Sequence, residues 1–118
     1  MITVFGIPNC DTVKKARAWL TQHGIEYQFH DFKKQGVPEA ALDHWLTHLG
    51  WERLVNRKGT TWRKLDEATR ERVSDAPSAR KLMLEQTSVI KRPVVDWGES
   101  GPAGLTAGFD PSEWQSRL

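Results

Sequence analysis

The chain has 118 residues, with 17 Lys and Arg against 15 Asp and Glu and a formal net charge of +2. That length suits one compact domain, and the near balance of charge argues against a nucleic-acid partner and against an acidic tail. No apolar run approaches the roughly 20 residues that span a bilayer, and the first residues lack the pattern of a secretion signal, so no membrane partner is expected.

The first segment, Ile2-Thr3-Val4-Phe5-Gly6-Ile7-Pro8-Asn9-Cys10-Asp11, reads as a strand, a tight turn and the start of a helix that continues through Leu20. Asn9 is a good N-cap residue, which places Cys10 in the first helical turn. Cys10 is the only cysteine. A lone cysteine commonly serves as a small buried hydrophobe. At a helix start, however, a thiol meets free backbone N–H groups and the positive end of the helix dipole, which favour the reactive thiolate. Without a second cysteine any redox cycle takes its resolving thiol from outside, and an unpaired thiol suits a reducing, cytoplasmic location.

His23-Gly24 stops the helix. Ile25, Tyr27 and Phe29 alternate with polar residues as a second strand, which the short joints make parallel to the first. Lys33 to Gly36 reads as a loop. Pro38 opens a helix at its first position, with Leu42, Trp45, Leu46 and Leu49 at helical spacing, and Gly50 closes it. Asp66–Val73 and Ser78–Gln86 read as further helices, separated by Asp75-Ala76-Pro77. The face that Leu82, Met83 and Leu84 bury stays open. Strand character returns at Val94–Trp97; Gly98-Glu99-Ser100-Gly101 turns the chain, and Pro102–Thr106 pairs back. Asp110, Pro111 and Glu113 start a last helix. The order β-α-β, helical block, β-β-α gives an α/β chain: one domain over residues 1–118 with a small four-stranded sheet and a helical insertion at about 37–88.

Two basic clusters join Cys10 as site candidates. One is the glycine-bearing loop Asn56-Arg57-Lys58-Gly59-Thr60-Thr61-Trp62-Arg63; the other is Lys91-Arg92-Pro93, directly before a strand. Arginine forks suit planar anions, although most surface Arg-Lys pairs are merely solvated. Pro93 is a candidate for a cis peptide. The six tryptophans are read as packing the core and its edges; only Trp62, flanked by Arg57, Lys58, Arg63 and Lys64, comes near a base-stacking platform, and no such surface is expected. His44 and His48 lie one helical turn apart, but nothing supplies a third ligand, so no metal site is expected.

These motifs, in this order, resemble the arsenate reductase (ArsC) family and within it the YffB subgroup: the strand-Gly-Ile-Pro-Asn-Cys10-helix start, the Asn56–Arg63 loop, and Ile90-Lys91-Arg92-Pro93 before the hairpin. The resemblance implies a thioredoxin-like fold with a helical insertion, in which a cis-proline, here Pro93, faces the reactive cysteine. It also implies Cys10 as nucleophile, with Arg57 and Arg92 as anion-binding arginines beside Asn9 and Arg63. In the family's arsenate reductases a third arginine follows in the last hairpin, and glutathione and glutaredoxin complete the reduction. The corresponding stretch here, Gly101 to Gly108, has no basic residue, and Gly6 stands where the arsenate reductase motif usually has histidine. The expected function is therefore a glutathione-dependent thiol reductase acting on a small-molecule or protein disulfide, with glutathione as co-substrate, glutaredoxin as a further partner and no bound cofactor. Arsenate reduction is one alternative. The other is an Spx-like regulator that binds RNA polymerase, although such regulators typically carry Cys-x-x-Cys, and the position three after Cys10 is Val13.

Overall fold

The computed structural model describes residues 1–99 and 101–118, with Pro102 described by its backbone alone; Ser100, expected in the hairpin turn, lies outside the described residues. The chain begins with strand β1 (Ile2–Gly6), helix α1 (Asp11–Gln22), strand β2 (Tyr27–Asp31) and the single turn α2 (Phe32–Gln35). It continues through α3 (Glu39–Leu49), α4 (Trp51–Leu54), α5 (Thr60–Lys64), α6 (Glu67–Arg72) and α7 (Ala76–Glu85), then β3 (Val94–Asp96), β4 (Leu105–Ala107) and α8 (Pro111–Gln115). The described residues divide into two compact units, one of Met1–Gln35 with Arg92–Leu118, the other of Gly36–Lys91.

The first unit holds a mixed four-stranded sheet in the order β2-β1-β3-β4. β1 and β2 are parallel, with Val4 opposite Phe29 and Gly6 opposite Asp31. β3 runs antiparallel to β1, Phe5 opposite Val94, and β4 antiparallel to β3. Strand alternation puts Val4 and Val95 on one face, where the buried stripe of α1 (Val13, Ala16, Leu20) and Trp114 of α8 pack. Trp114 is fully buried and meets Trp97, Trp19 and Phe109 edge-on, with ring centroids 5.0, 5.5 and 4.8 Å away.

Two junctions are tighter than ordinary loops. Gly6 has Val13 so close that an added Cβ would lie 3.0 Å from its Cγ2. After α1, Gly24 takes a φ of +68°, the left-handed conformation that lets the chain turn back into β2. α8 begins as its sequence indicates, with the Asp110 carboxylate accepting from the Ser112 and Glu113 N–H groups and Pro111 in the first turn.

In the second unit α3 buries Leu42, Trp45 and Leu49, while α7 buries Ala79, Leu82 and Met83, which decides the face left open by the sequence. Arg80 of α7 donates to Asp43 and Glu39 of α3 at 2.6 and 2.9 Å. Val55 bridges Ile90, and Asn56 N–H donates to the Val89 carbonyl, so the segments flanking the helices are tied together.

Several local expectations are corrected. Lys33 to Gln35 is helical rather than loop, because buried Phe32 anchors the turn and the Asp31 carboxylate accepts from Lys33 N–H. Pro38 stands at the N-cap of α3 with an extended ψ of 124°, one residue before the helix. Asp75-Ala76-Pro77 is the start of α7 rather than a separator: Asp75 and Ser78 form a reciprocal capping box with Pro77 in the first turn. In the hairpin the returning strand begins only at Leu105, preceded by a 3-10 turn over Pro102–Gly104.

Candidate functional site

The site builds from the end of β1. The strand stops at Gly6, the chain bends through Pro8 and Asn9, and α1 begins. The helix is capped by Cys10, not by Asn9: Cys10 has extended dihedrals (φ −138°, ψ 124°), and its carbonyl accepts the first helical hydrogen bond from Lys14 N–H at 2.9 Å. Cys10 thus precedes the first helical turn that the sequence assigned to it, and Asn9 is an exposed bend residue. The N-cap position aims a side chain back at the N–H groups of the first turn. Cys10 does not close a fully formed cap hydrogen bond, yet the Val13 and Thr12 N–H groups act on its sulfur.

β3 supplies the opposing cation. Since Val94 pairs with Phe5, the residues just before Val94 run alongside the end of β1 that leads to Cys10. Arg92 is there, and its side chain hydrogen-bonds the Cys10 sulfur. The Arg92–Pro93 peptide bond is cis and Pro93 is buried, with its carbonyl accepting from Gly108 N–H at 2.9 Å. Partial burial pushes the Cys10 thiol up. The Val13 N–H, the hydrogen bond and charge of Arg92, and the Thr12 N–H outweigh it and leave the thiol below its ordinary value. A thiolate at this position is a nucleophile for disulfide sulfur or for an electrophilic oxyanion centre.

Arg57 and Arg63 belong to the second unit. Arg57 follows α4; its guanidinium carbon lies 5.1 Å from the Trp51 ring centre and its Nη2 is 3.8 Å from the Glu52 carboxylate. Arg63 lies within α5, so the expected loop is half helical, and its Nη2 donates to the Lys58 carbonyl at 2.8 Å. That bond closes the Lys58–Arg63 turn and gives Arg63 a structural partner. A cleft of about 340 Å³ opens beside Arg57, lined by Glu52, Arg53, Val55, Asn56, Lys58 and Lys91. The sequence reading did not single out Trp51, Glu52 and Arg53 as neighbours of Arg57 and its cleft. The only signal for them was an aromatic-acid-base run, Trp51-Glu52-Arg53, a few residues before the arginine.

Among the described residues no three His, Cys, Asp or Glu side chains group to hold a metal ion. His44 and His48 pack ring edge to ring face, with centroids 4.5 Å apart. No helix of the described residues is long and apolar enough to cross a membrane.

Comparison with known proteins fits this arrangement. Over 116 residues the chain is 42% identical to an uncharacterized protein of Haemophilus influenzae, covering 98% of this chain and 97% of that one. It is 30% identical over 98 residues to the global transcriptional regulator Spx of Streptococcus pyogenes, covering 80% of this chain and 71% of the regulator. The solved structure of a YffB protein superposes with a TM-score of 0.90 at 42% identity, over 100% of this chain and 99% of that one. An arsenate reductase (ArsC) related protein of Brucella melitensis does so with a TM-score of 0.74 at 51% identity, over 98% and 92%. The fold is thus the thioredoxin-like ArsC fold, and since the ArsC family model matches residues 5–116, the chain belongs to the ArsC family.

Proposed function

We propose that the protein is a glutathione-dependent thiol reductase with Cys10 as its single nucleophile. The observation that carries this reading is the Arg92 hydrogen bond to the Cys10 sulfur at the capped end of α1. The Cys10 thiolate attacks the glutathione sulfur of a mixed disulfide; a Cys10–glutathione disulfide forms, and the substrate thiolate leaves and takes a proton. A second glutathione, as thiolate, then attacks the glutathione sulfur of that adduct. Glutathione disulfide departs and the Cys10 thiolate returns. The external thiol is required because the chain has no resolving cysteine.

On this reading Arg92 holds the thiolate, Arg57, Asn9 and Arg63 are candidate anion-binding residues, and glutaredoxin is an alternative source of reducing thiol. The absence of a basic residue from Gly101 to Gly108 disfavours arsenate reduction, since the oxyanion loses a charge-assisted contact. Buried Val13, in place of a second thiol, disfavours an internal Spx-type redox switch. The single cysteine suits a reducing cytoplasm.

The test is turnover of a glutathione mixed disulfide by wild type and Cys10→Ser, with arsenate in parallel. Cys10-dependent disulfide turnover without arsenate reduction is the expected result. Arsenate turnover would transfer the assignment to arsenate reductase. Inactivity toward both would overturn the enzymatic reading in favour of a binding role like that of the regulator.

A further inference from the structure

The cleft beside Arg57 sets four cations, Arg53, Arg57, Lys58 and Lys91, against one carboxylate, Glu52. The exposed positions of Arg57 and Glu52 make their 3.8 Å ion pair weak and exchangeable. The same guanidinium lies over the Trp51 ring, its carbon 5.1 Å from the ring centre. A cation over an aromatic ring is held without using up its N–H donors, and the guanidinium fork is the part that receives a carboxylate in paired hydrogen bonds. Trp51 and Glu52 are neighbours in α4, so one short element provides both the platform and the resident acid.

We propose that Trp51 and Glu52 are positioning residues for Arg57, with Glu52 a built-in carboxylate that a ligand bearing several carboxylates displaces from the cleft. It rests on the thiol-reductase reading for the choice of ligand. The ligand chemistry follows from the cleft. A substrate bearing more than one carboxylate, as glutathione disulfide does, replaces the single Glu52 contact and engages the remaining cations as well. The resident acid sets a threshold: an anion that offers Arg57 no more than Glu52 does gains little by entering. Substrates with several carboxylates are thereby favoured over those with one or none.

Glutathione disulfide is the probe, titrated calorimetrically at low ionic strength into protein carrying Cys10→Ser, which abolishes exchange and leaves binding. Glu52→Gln should bind the probe about two- to fivefold more tightly, the range expected on removing one exposed ionic competitor. Raising the salt should shrink the difference, since the competition is between exposed charges. Trp51→Leu should weaken binding, and Trp51→Phe, which keeps an aromatic face, should restore it. Equal or weaker binding by Glu52→Gln, or no binding by either protein, would overturn the inference. Neither result decides the thiol-reductase reading, which stands or falls on turnover of the mixed disulfide and of arsenate.

Discussion

The side chain of Arg92 hydrogen-bonds the sulfur of Cys10, although most of the chain lies between them in sequence. The antiparallel pairing of β3 with β1 brings them together, because Val94 opposite Phe5 leaves Arg92 beside the turn that leads into α1. The thiol thus receives two unlike stabilisers, backbone N–H groups from its own helix and a guanidinium from across the sheet. Burial alone would have made it a poor nucleophile.

That relationship sets the pH dependence of Cys10. Alkylation of the wild-type protein should show a midpoint below the ordinary thiol value of about 8.5. Arg92→Met should move the midpoint upward, leaving the Val13 and Thr12 N–H groups as the remaining stabilisers. The effect on stability has a definite sign. A thiol lowered in the native state contributes stability that is full above the unfolded thiol value and fades as pH falls through the native one. Urea unfolding of wild type and Cys10→Ser across that window should therefore diverge toward alkaline pH; curves that stay parallel would remove the case for a stabilised thiolate.

Gly6 and Val13 form a second coupled pair. A Cβ at Gly6 would meet Val13 Cγ2 at 3.0 Å and Phe29 Cε1 at 3.9 Å. Gly6→Ala should cost about 1–3 kcal/mol by overpacking, and Gly6→His, which installs the residue of the arsenate reductase motif, should cost more. Adding Val13→Ala should recover part of the Gly6→Ala loss, measured as a non-additive double-mutant cycle. Strict additivity would show that the contact is not what excludes the larger side chain.

Trp114 anchors α8 to the sheet and its neighbouring aromatic rings. Trp114→Ala should destabilise by about 3–5 kcal/mol, the range for removing a fully buried large aromatic, and Trp114→Phe by distinctly less. Equilibrium denaturation measures both. A small loss for alanine would indicate that the C-terminal helix is dispensable to the core.

Asp75 offers a pH test in the second unit. Its carboxyl is held below the usual value by the Ser78 hydroxyl and the Ser78 backbone N–H, both of which favour the ionised form. Asp75→Ala should lower Tm at neutral pH. The difference from wild type should be complete above about 3.9, the unfolded carboxyl value, and disappear as pH falls through the lower native value. A difference that persists in strong acid would mean the cap acts through shape rather than charge.

Legibility in the sequence followed the range of the interactions. Asp110-Pro111 announced α8 because a cap is a contact within one turn, and the alternation of Tyr27 and Phe29 located β2 because one face of a strand is buried against α1. Cys10 was legible as a helix-start thiol but was placed one residue too far into the helix, because Asn9 and Cys10 can both precede a first turn and only the backbone dihedrals choose. The Asn56–Arg63 segment looked like loop because Gly59 interrupts it; the Thr60–Lys64 helix forms beyond that glycine with no buried residue of its own.

The sequence by itself determined the order of the strands and main helices, the Asp110 cap of α8, the single cysteine and the family resemblance, since each depends on residues close together along the chain. Tertiary structure alone decided which cation meets the thiol, what limits the side chain at Gly6, and which partners hold Arg57 and Arg63. Those are contacts set by strand register and helix packing, whose geometry depends on the whole chain finding its buried surfaces together.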